Sequence, residues 1–345
     1  METIASTMNA VHVTAPGQLG LVEVDVPQPG PGDVLVQVKA CGICGSDAMY
    51  TQYGGIPPRQ GATPLGHEPA GVVVAAGADV EGLAVGDHVV VNPMASADGI
   101  IGSGGAQGAL SGYLLVAGAR EGVQLKVIPD HIPWEVAALN EPMAVARHAV
   151  NRSGAKAGEK AVVFGAGPIG LGAALSLKLR GVAHVVVVDI QAHRLETALR
   201  IGVDAVIDSS TEDVTARLIE LHGEAPRSFV RGTRPDTDVY IDAAGAAPVI
   251  ATVAASAKAG ARLSIVAVHK NPVELDLGGL LTTELTIALS MGYPTEIFEV
   301  TEDIVNHWER FAPIVSHTLP ADQALEALEL AATPGAAEKV VVTFG

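Results

Sequence analysis

Two cysteines, Cys41 and Cys44, are the only thiols of this 345-residue sequence, and they stand three positions apart in KACGICGSDAMY. That spacing suits a redox pair, half of a zinc ribbon, or one metal ligand beside a bystander. Two other segments carry donors that zinc accepts: His67 and Glu68 in PLGHEPAGVVVAAGADV, and Glu141 in LNEPMAVARHAV. A zinc site draws such donors from separate segments that converge in space. Each has an ordinary reading by itself. His67 fits a hydrogen-bonded interior histidine, and Glu141, just before Pro142, fits a helix N-terminal acid favoured by the dipole.

A second chemistry lies in VVFGAGPIG. Gly165, Gly167 and Gly170 follow an apolar strand and open a helix. Glycines there permit a tight turn and a close approach of backbone N–H groups to a pyrophosphate. The next strand ends at Asp189, whose carboxylate suits adenosine ribose hydroxyls and repels a 2′-phosphate, which favours NAD(H) over NADP(H). The alternative is a turn that only packs a helix on a sheet; the flanking strand, helix and acid argue against it. Arg194 raises NADP(H), but beside Asp189 it reads as a solvated helix residue or an adenine-flanking contact.

Two kinds of scaffold must position these groups. Residues 1 to about 145 alternate short apolar strands with Pro-Gly and Gly-Asp turns, as in LGLVEVDVPQPGPGDVLVQVKACG, which predicts a small β-barrel-like domain. From about residue 150 the pattern becomes strand, helix, strand. Ala161–Phe164, Val185–Val188, Ala205–Ile207, Val239–Ile241, Leu263–Val268 and Leu285–Leu289 are continuous apolar runs, as expected of parallel strands covered on both faces. The final run, in EKVVVTFG, reads as a strand returning to the first domain, and 222–238 as a surface loop.

Composition narrows the partners. Hydrophobic residues make up 48% and aromatics only 3%, so the cores must be Ala, Val, Leu and Ile. The net charge of −17 disfavours nucleic acid and anionic membranes. METIASTMNAVHVTAPG lacks the basic and apolar regions of a signal peptide, and no apolar run is long enough to span a bilayer. A soluble, reducing, cytoplasmic setting is expected.

The combined motifs resemble the zinc-dependent medium-chain dehydrogenase/reductase superfamily, to which the alcohol dehydrogenases belong. GHEPAGVVVAAGADV places Gly66, His67, Glu68, Gly71, Gly77 and Val80 on its zinc signature, with CGICGSD upstream and the dinucleotide motif downstream. NEPMAVARHAV and CGSDAMY most resemble the polyol and butanediol dehydrogenase branch; VAVHKNPVELD and SMGYP lean toward the butanediol enzymes. The resemblance implies an α/β chain: a GroES-like β-barrel catalytic domain over 1–148 and 293–345, and a doubly wound Rossmann domain over 149–292.

It also implies roles. Cys44 and His67 become zinc ligands, completed or closely flanked by Glu68 and Glu141, since members differ in which glutamate binds directly. Thiolate plus one carboxylate neutralises the ion, so at most one glutamate is tightly bound during the chemistry. Asp47 is expected to hold the His67 imidazole, and Cys41 becomes the bystander. Ser46 is expected to take the substrate proton first. Met49 stands where many relatives keep a histidine that passes this proton on, which a thioether cannot do. Tyr50 is expected in the substrate pocket, a buried barrel aromatic being the other reading. Pro168, Ile169, Val266 and Val268 join the cofactor contacts.

The segment NPMASADGIIGSGGAQGALSGY has no cysteine, so one catalytic zinc and no structural zinc are expected. LTTELTIALSMGY, as an apolar edge strand, suggests a homodimer or homotetramer. The leading expectation is an NAD-linked dehydrogenase interconverting a secondary alcohol, vicinal diol or polyol with its ketone. Other readings are a threonine- or glucose-type dehydrogenase, a silent NAD-binding protein, or a zinc-free quinone reductase relative. The intact ligand set and Ser46 argue against the last two.

Overall fold

The computed structural model describes residues 4–56 and 62–345; residues 1–3, the start of the leader reading, lie outside them. The chain forms two units, Met1–Glu141 with Thr301–Gly345, and Pro142–Val300.

The Pro- and Gly-punctuated first part folds into β1 (Thr7–Ala15), β2 (Gln18–Asp25), β3 (Val34–Gly42), helix α1 (Gly45–Tyr53), β4 (Thr63–Pro64), β5 (Glu68–Ala76), β6 (His88–Val91), β7 (Tyr113–Val116) and β8 (Leu125–Ile128). Helix α2 (Trp134–Ala137) closes this part, and α3 (Asn140–Ser153) follows it in the chain. Strands β2, β1 and β4 form one small sheet. The second sheet has the path β15-β16-β3-β5-β6-β8, with β7 also on β3; β15 (Val315–Pro320) and β16 (Lys339–Thr343) come from the end of the sequence. Its core holds Val, Leu, Ile and Ala almost alone, with Val34, Val36, Val38, Val73 and Leu114 fully buried.

The middle of the chain supplies β9 (Lys160–Phe164), α4 (Pro168–Leu179), β10 (His184–Asp189), α5 (Ala192–Arg200), β11 (Ala205–Asp208), α6 (Val214–His222), β12 (Val239–Asp242), α7 (Ala247–Ser256), β13 (Arg262–Ile265), α8 (Leu277–Leu280) and β14 (Thr286–Leu289). All six strands are parallel, in the order β11-β10-β9-β12-β13-β14. Strand order reverses between β9 and β12, the switch point of a doubly wound sheet. Helices α9 (Glu299–Phe311) and α10 (Ala324–Ala332) follow.

Two expectations shift. The run Leu263–Val268 is strand only to Ile265, because the N–H groups of Val266 and Ala267 both turn onto Asp242 O, at 3.0 and 3.1 Å. The units divide at 141/142 and 300/301, against the expected 148/149 and 292/293. Helix α3 is tied to α4 by Arg147 Nη1 donating to Ser176 Oγ at 3.3 Å, and Glu296 bonds His148 and Asn151 at 2.9 Å, so both segments belong with the parallel sheet. No helix among the described residues is long and apolar enough to cross a membrane.

Candidate metal centre and nucleotide turn

Register brings the donors to one end of the barrel sheet. Gly42 of β3 faces Glu68 of β5 on one side and Val341 of β16 on the other. Past Gly42 the chain turns into α1 with Cys44 at its N-cap. Asp47 closes that turn: its Oδ2 accepts the Cys44 N–H at 2.9 Å, and its own N–H returns to Cys44 O at 3.1 Å. His67 immediately precedes β5. As a result one donor atom each from Cys44, His67 and Glu68 lies within 4.8 Å of the others. Among the described residues no other group of three or more His, Cys, Asp or Glu is so close.

These groups are out of water: Asp47 is 0%, Glu68 1% and His67 6% exposed. Burial opposes a charged His67, yet Asp47, then Cys44 and Glu141, more than offset it and hold the imidazole well above its usual range. Burial raises the Asp47 carboxyl, and His67 and the Cys44 N–H pull it back only in part. The raised imidazole reports the negative groups gathered around it, a field that favours a cation. Among the described residues, His67 Nδ1 and Asp47 Oδ1 face each other at 3.6 Å without another partner, and Glu68 Oε1 accepts no hydrogen bond. A cysteine sulfur, an imidazole whose far nitrogen faces a carboxylate, and a carboxylate with one free oxygen suit zinc. Cys41 is fully buried, and burial pushes its thiol well above the ordinary value, so it stays protonated and inert. Helix α1 does follow β3 as in a redox motif, but β16, β5 and β7 all pair with that strand antiparallel.

The second site is built on the parallel sheet. Gly165 leaves β9 with φ +94°, Gly167 caps α4 and Pro168 occupies its first turn. A methyl group added at Gly170 would lie 1.7 Å from Gly165 O, so only glycine lets the helix start this close to the strand end. Asp189, at the end of β10, accepts the Ala166 N–H at 2.6 Å and those of Ile190 and Gln191 at 2.7 and 2.9 Å. Gly165, Gly167, Asp189 and Arg194 line a cleft of ≈ 890 Å³ with Ala243 and Ala244.

Residues 30–126 match the alcohol dehydrogenase GroES-like domain, and residues 168–306 match the zinc-binding dehydrogenase family. Sorbitol dehydrogenase of Bos taurus is 31% identical over 338 residues, covering 92% of this chain and 91% of that protein. The (R,R)-butanediol dehydrogenase of Neisseria gonorrhoeae is 30% identical over 341 residues, covering 92% and 93%. The chain belongs to the zinc-binding alcohol dehydrogenase family. Among solved structures, that of 2R,3R-butanediol dehydrogenase from Bacillus subtilis matches the dehydrogenase with a TM-score of 0.85 at 29% identity, over 97% of this chain and 99% of that one.

The dehydrogenase holds one further participant, Lys339, that its motifs did not reveal. It is 3% exposed, its Nζ contacts Glu68 Oε2, and it donates to Ile43 O at 2.8 Å. Burial lowers this ammonium, but Glu68, Cys44 and Glu141 together hold it above its usual value. Gly42 makes the pair possible, since a methyl there would lie 1.9 Å from Glu68 Oε2. Only the pairing of β16 with β3 carries this signal; no local motif does.

The other expected residues divide. Ser46 Oγ lies 3.4 Å from His67 Nε2. Glu141, in the first turn of α3, stands outside the donor triangle and acts on His67 and Lys339 through its charge. Met49 is 42% exposed. Tyr50 packs in the barrel core, its hydroxyl 3.4 Å from Ser103 Oγ. Ile169 follows Pro168 in α4, outside the cleft wall; Val266 and Val268 lie past the end of β13, Val268 at 80% exposure.

Proposed function

We propose that this dehydrogenase interconverts a secondary alcohol, vicinal diol or polyol with its ketone, using NAD(H) and one zinc ion per chain. The observation that carries the reading is the Cys44–His67–Glu68 triangle, buried and backed by Asp47. The sorbitol and butanediol dehydrogenases among the relatives support the substrate class. Bound zinc would supply a Lewis acid that polarises the substrate oxygen and makes its proton more acidic. NAD(H) would carry the hydride.

The chain's own residues have separable tasks. Cys44, His67 and Glu68 hold the ion, with Glu141 as the alternative carboxylate. Asp47 fixes His67 and the Cys44 turn together. Ser46, beside His67, takes the hydroxyl proton in oxidation and returns it in reduction. Met49, a thioether, cannot relay that proton, which would pass from Ser46 to water. On the parallel sheet Asp189 keeps a lone pair on Oδ2 for a ribose hydroxyl and opposes a 2′-phosphate, which supports NAD(H). Residues 92–113 contain no cysteine, which supports a single zinc. Among the described residues strand β14 pairs only with β13, and it exposes Leu289 at 71%, which supports a homo-oligomer formed through this edge. A reducing, cytoplasmic setting suits a free thiolate ligand.

The test is metal analysis joined to NADH formation across diols, polyols and secondary alcohols. One zinc per chain is expected, with activity lost on chelation and restored by zinc. Turnover that survives complete metal removal, or none of these alcohols serving the zinc-loaded enzyme, overturns the reading.

A further inference from the structure

Strands β10 and β12 flank β9 on either side, and each ends in an aspartate. The two acids do similar work. Asp189 Oδ1 accepts the N–H groups of the turn that follows β10. Asp242 Oδ1 accepts those of Ala244 and Gly245, at 3.0 and 2.9 Å, in the turn that follows β12. They differ at the other oxygen. Asp189 Oδ2 binds the glycine turn and lines the cleft, whereas Asp242 is 0% exposed and its Oδ2 meets His269 Nε2 at 2.7 Å.

A buried carboxylate facing one ring nitrogen fixes the imidazole tautomer. Asp242 accepts from Nε2–H, so in the neutral imidazole Nδ1 presents a lone pair. Nδ1 has no partner among the described residues, and the His269 side chain is 17% exposed. The imidazole therefore extends the reach of a carboxylate that cannot meet a ligand itself. The turn behind it belongs to the nucleotide site: a methyl at Gly165 would lie 3.0 Å from Ala244 N, and Ala243 and Ala244 line the cleft.

A dinucleotide on such a sheet lays its pyrophosphate over the glycine turn and one nucleoside on each side of the switch point. Asp189 claims the side of β10 for adenosine, which leaves the side of β12 and β13 for the other nucleoside. The sugar joins the phosphate directly, so it is the part nearest this turn, and its hydroxyls are hydrogen-bond donors.

We propose that His269, held by Asp242, accepts a hydrogen bond from a hydroxyl of the nicotinamide-side ribose. The inference rests on the NAD(H) reading above. It makes His269 a cofactor-binding residue and Asp242 its positioning residue.

Calorimetric titration of the zinc-loaded enzyme with NAD+, ADP-ribose and ADP separates the possibilities. His269→Ala should weaken NAD+ and ADP-ribose about 3- to 10-fold, the loss of one neutral hydrogen bond, and leave ADP unchanged. His269→Gln, with an amide N–H for Asp242 and an oxygen for the ribose, should recover most of the affinity. Asp242→Asn keeps an oxygen for the two turn N–H groups but presents a donor to Nε2, which turns Nδ1 into N–H. The ribose hydroxyl can accept from that N–H instead of donating, so Asp242→Asn should keep most of the affinity, and His269→Phe, which fills the space without a ring nitrogen, provides the test should the alanine variant not fold. Unchanged binding of NAD+ and ADP-ribose by folded His269→Ala or His269→Phe overturns the inference. So does an equal loss for ADP, or a loss confined to NAD+, which would assign the contact to the carboxamide. Failure of the native enzyme to bind NAD+ at all would instead overturn the cofactor reading.

Discussion

Replacing Lys339 with methionine tests how the metal centre balances its charges. Methionine keeps most of the apolar stem, so the change removes the ammonium and leaves little cavity. What remains is the Glu68 carboxylate, 1% exposed and paired with no other cation among the described residues. The Ile43 carbonyl also loses its 2.8 Å donor. Stranding one member of a buried ion pair costs about 3–5 kcal/mol, and the metal-free Lys339→Met enzyme should lose stability of that order. Both tryptophans, Trp134 and Trp308, belong to the unit that contains the pair, so their fluorescence during urea unfolding reports on it directly. The double variant Glu68→Gln with Lys339→Met should regain most of the loss, because no charge is then left buried. Zinc should also narrow the gap, since the ion replaces the missing positive charge and stabilises the fold it binds. A loss below about 1 kcal/mol, or a double variant no more stable than Lys339→Met, would refute the charge-balance account.

Other consequences are open to measurement. Gly170→Ala drives a methyl into Gly165 O and should abolish measurable NAD+ binding while zinc content stays at wild-type level, read by calorimetry and metal analysis. Asp189→Ser removes the carboxylate that opposes a 2′-phosphate; the ratio of NAD+ to NADP+ affinity should fall at least about 10-fold, and an unchanged ratio would show that specificity lies elsewhere. His222 is 3% exposed, and burial, then His184 and Lys160, lower its pKa from 6.5 to about 4. The unfolded chain therefore binds this proton first, so stability present above pH 6.5 drains away as pH falls toward 4, by up to about 3 kcal/mol. Thermal midpoints from pH 7 to pH 4 should decline less steeply in His222→Gln than in the native enzyme.

The nucleotide half was the more legible in the sequence, because its signals are local. Buried parallel strands read as unbroken apolar runs, and the glycine spacing marks where strand becomes helix. The error at Val266 arose because a run of apolar residues does not show where amide donors leave the ladder for one carbonyl. In the barrel, Cys44, His67 and Glu68 were visible as donor types, but the triangle depends on strand register. Helix α1 was not foreseen; Asp47, three residues past Cys44, and Gly54 in a left-handed C-cap were its available signals. Lys339 and the Asp242–His269 pair were invisible for the same reason: each joins residues whose proximity is created by the sheet and not by the intervening sequence.

Lys339 reaches back across 296 residues to the carbonyl of Ile43. During synthesis, a nascent chain extended only through residue 300 already contains Cys44, His67 and Glu68 but nothing to balance the buried carboxylate. Stable closure of the barrel around its acidic centre must wait until β16 is made, with the whole nucleotide-binding unit synthesised in between. Early metal capture would relieve that wait by supplying positive charge before the lysine arrives.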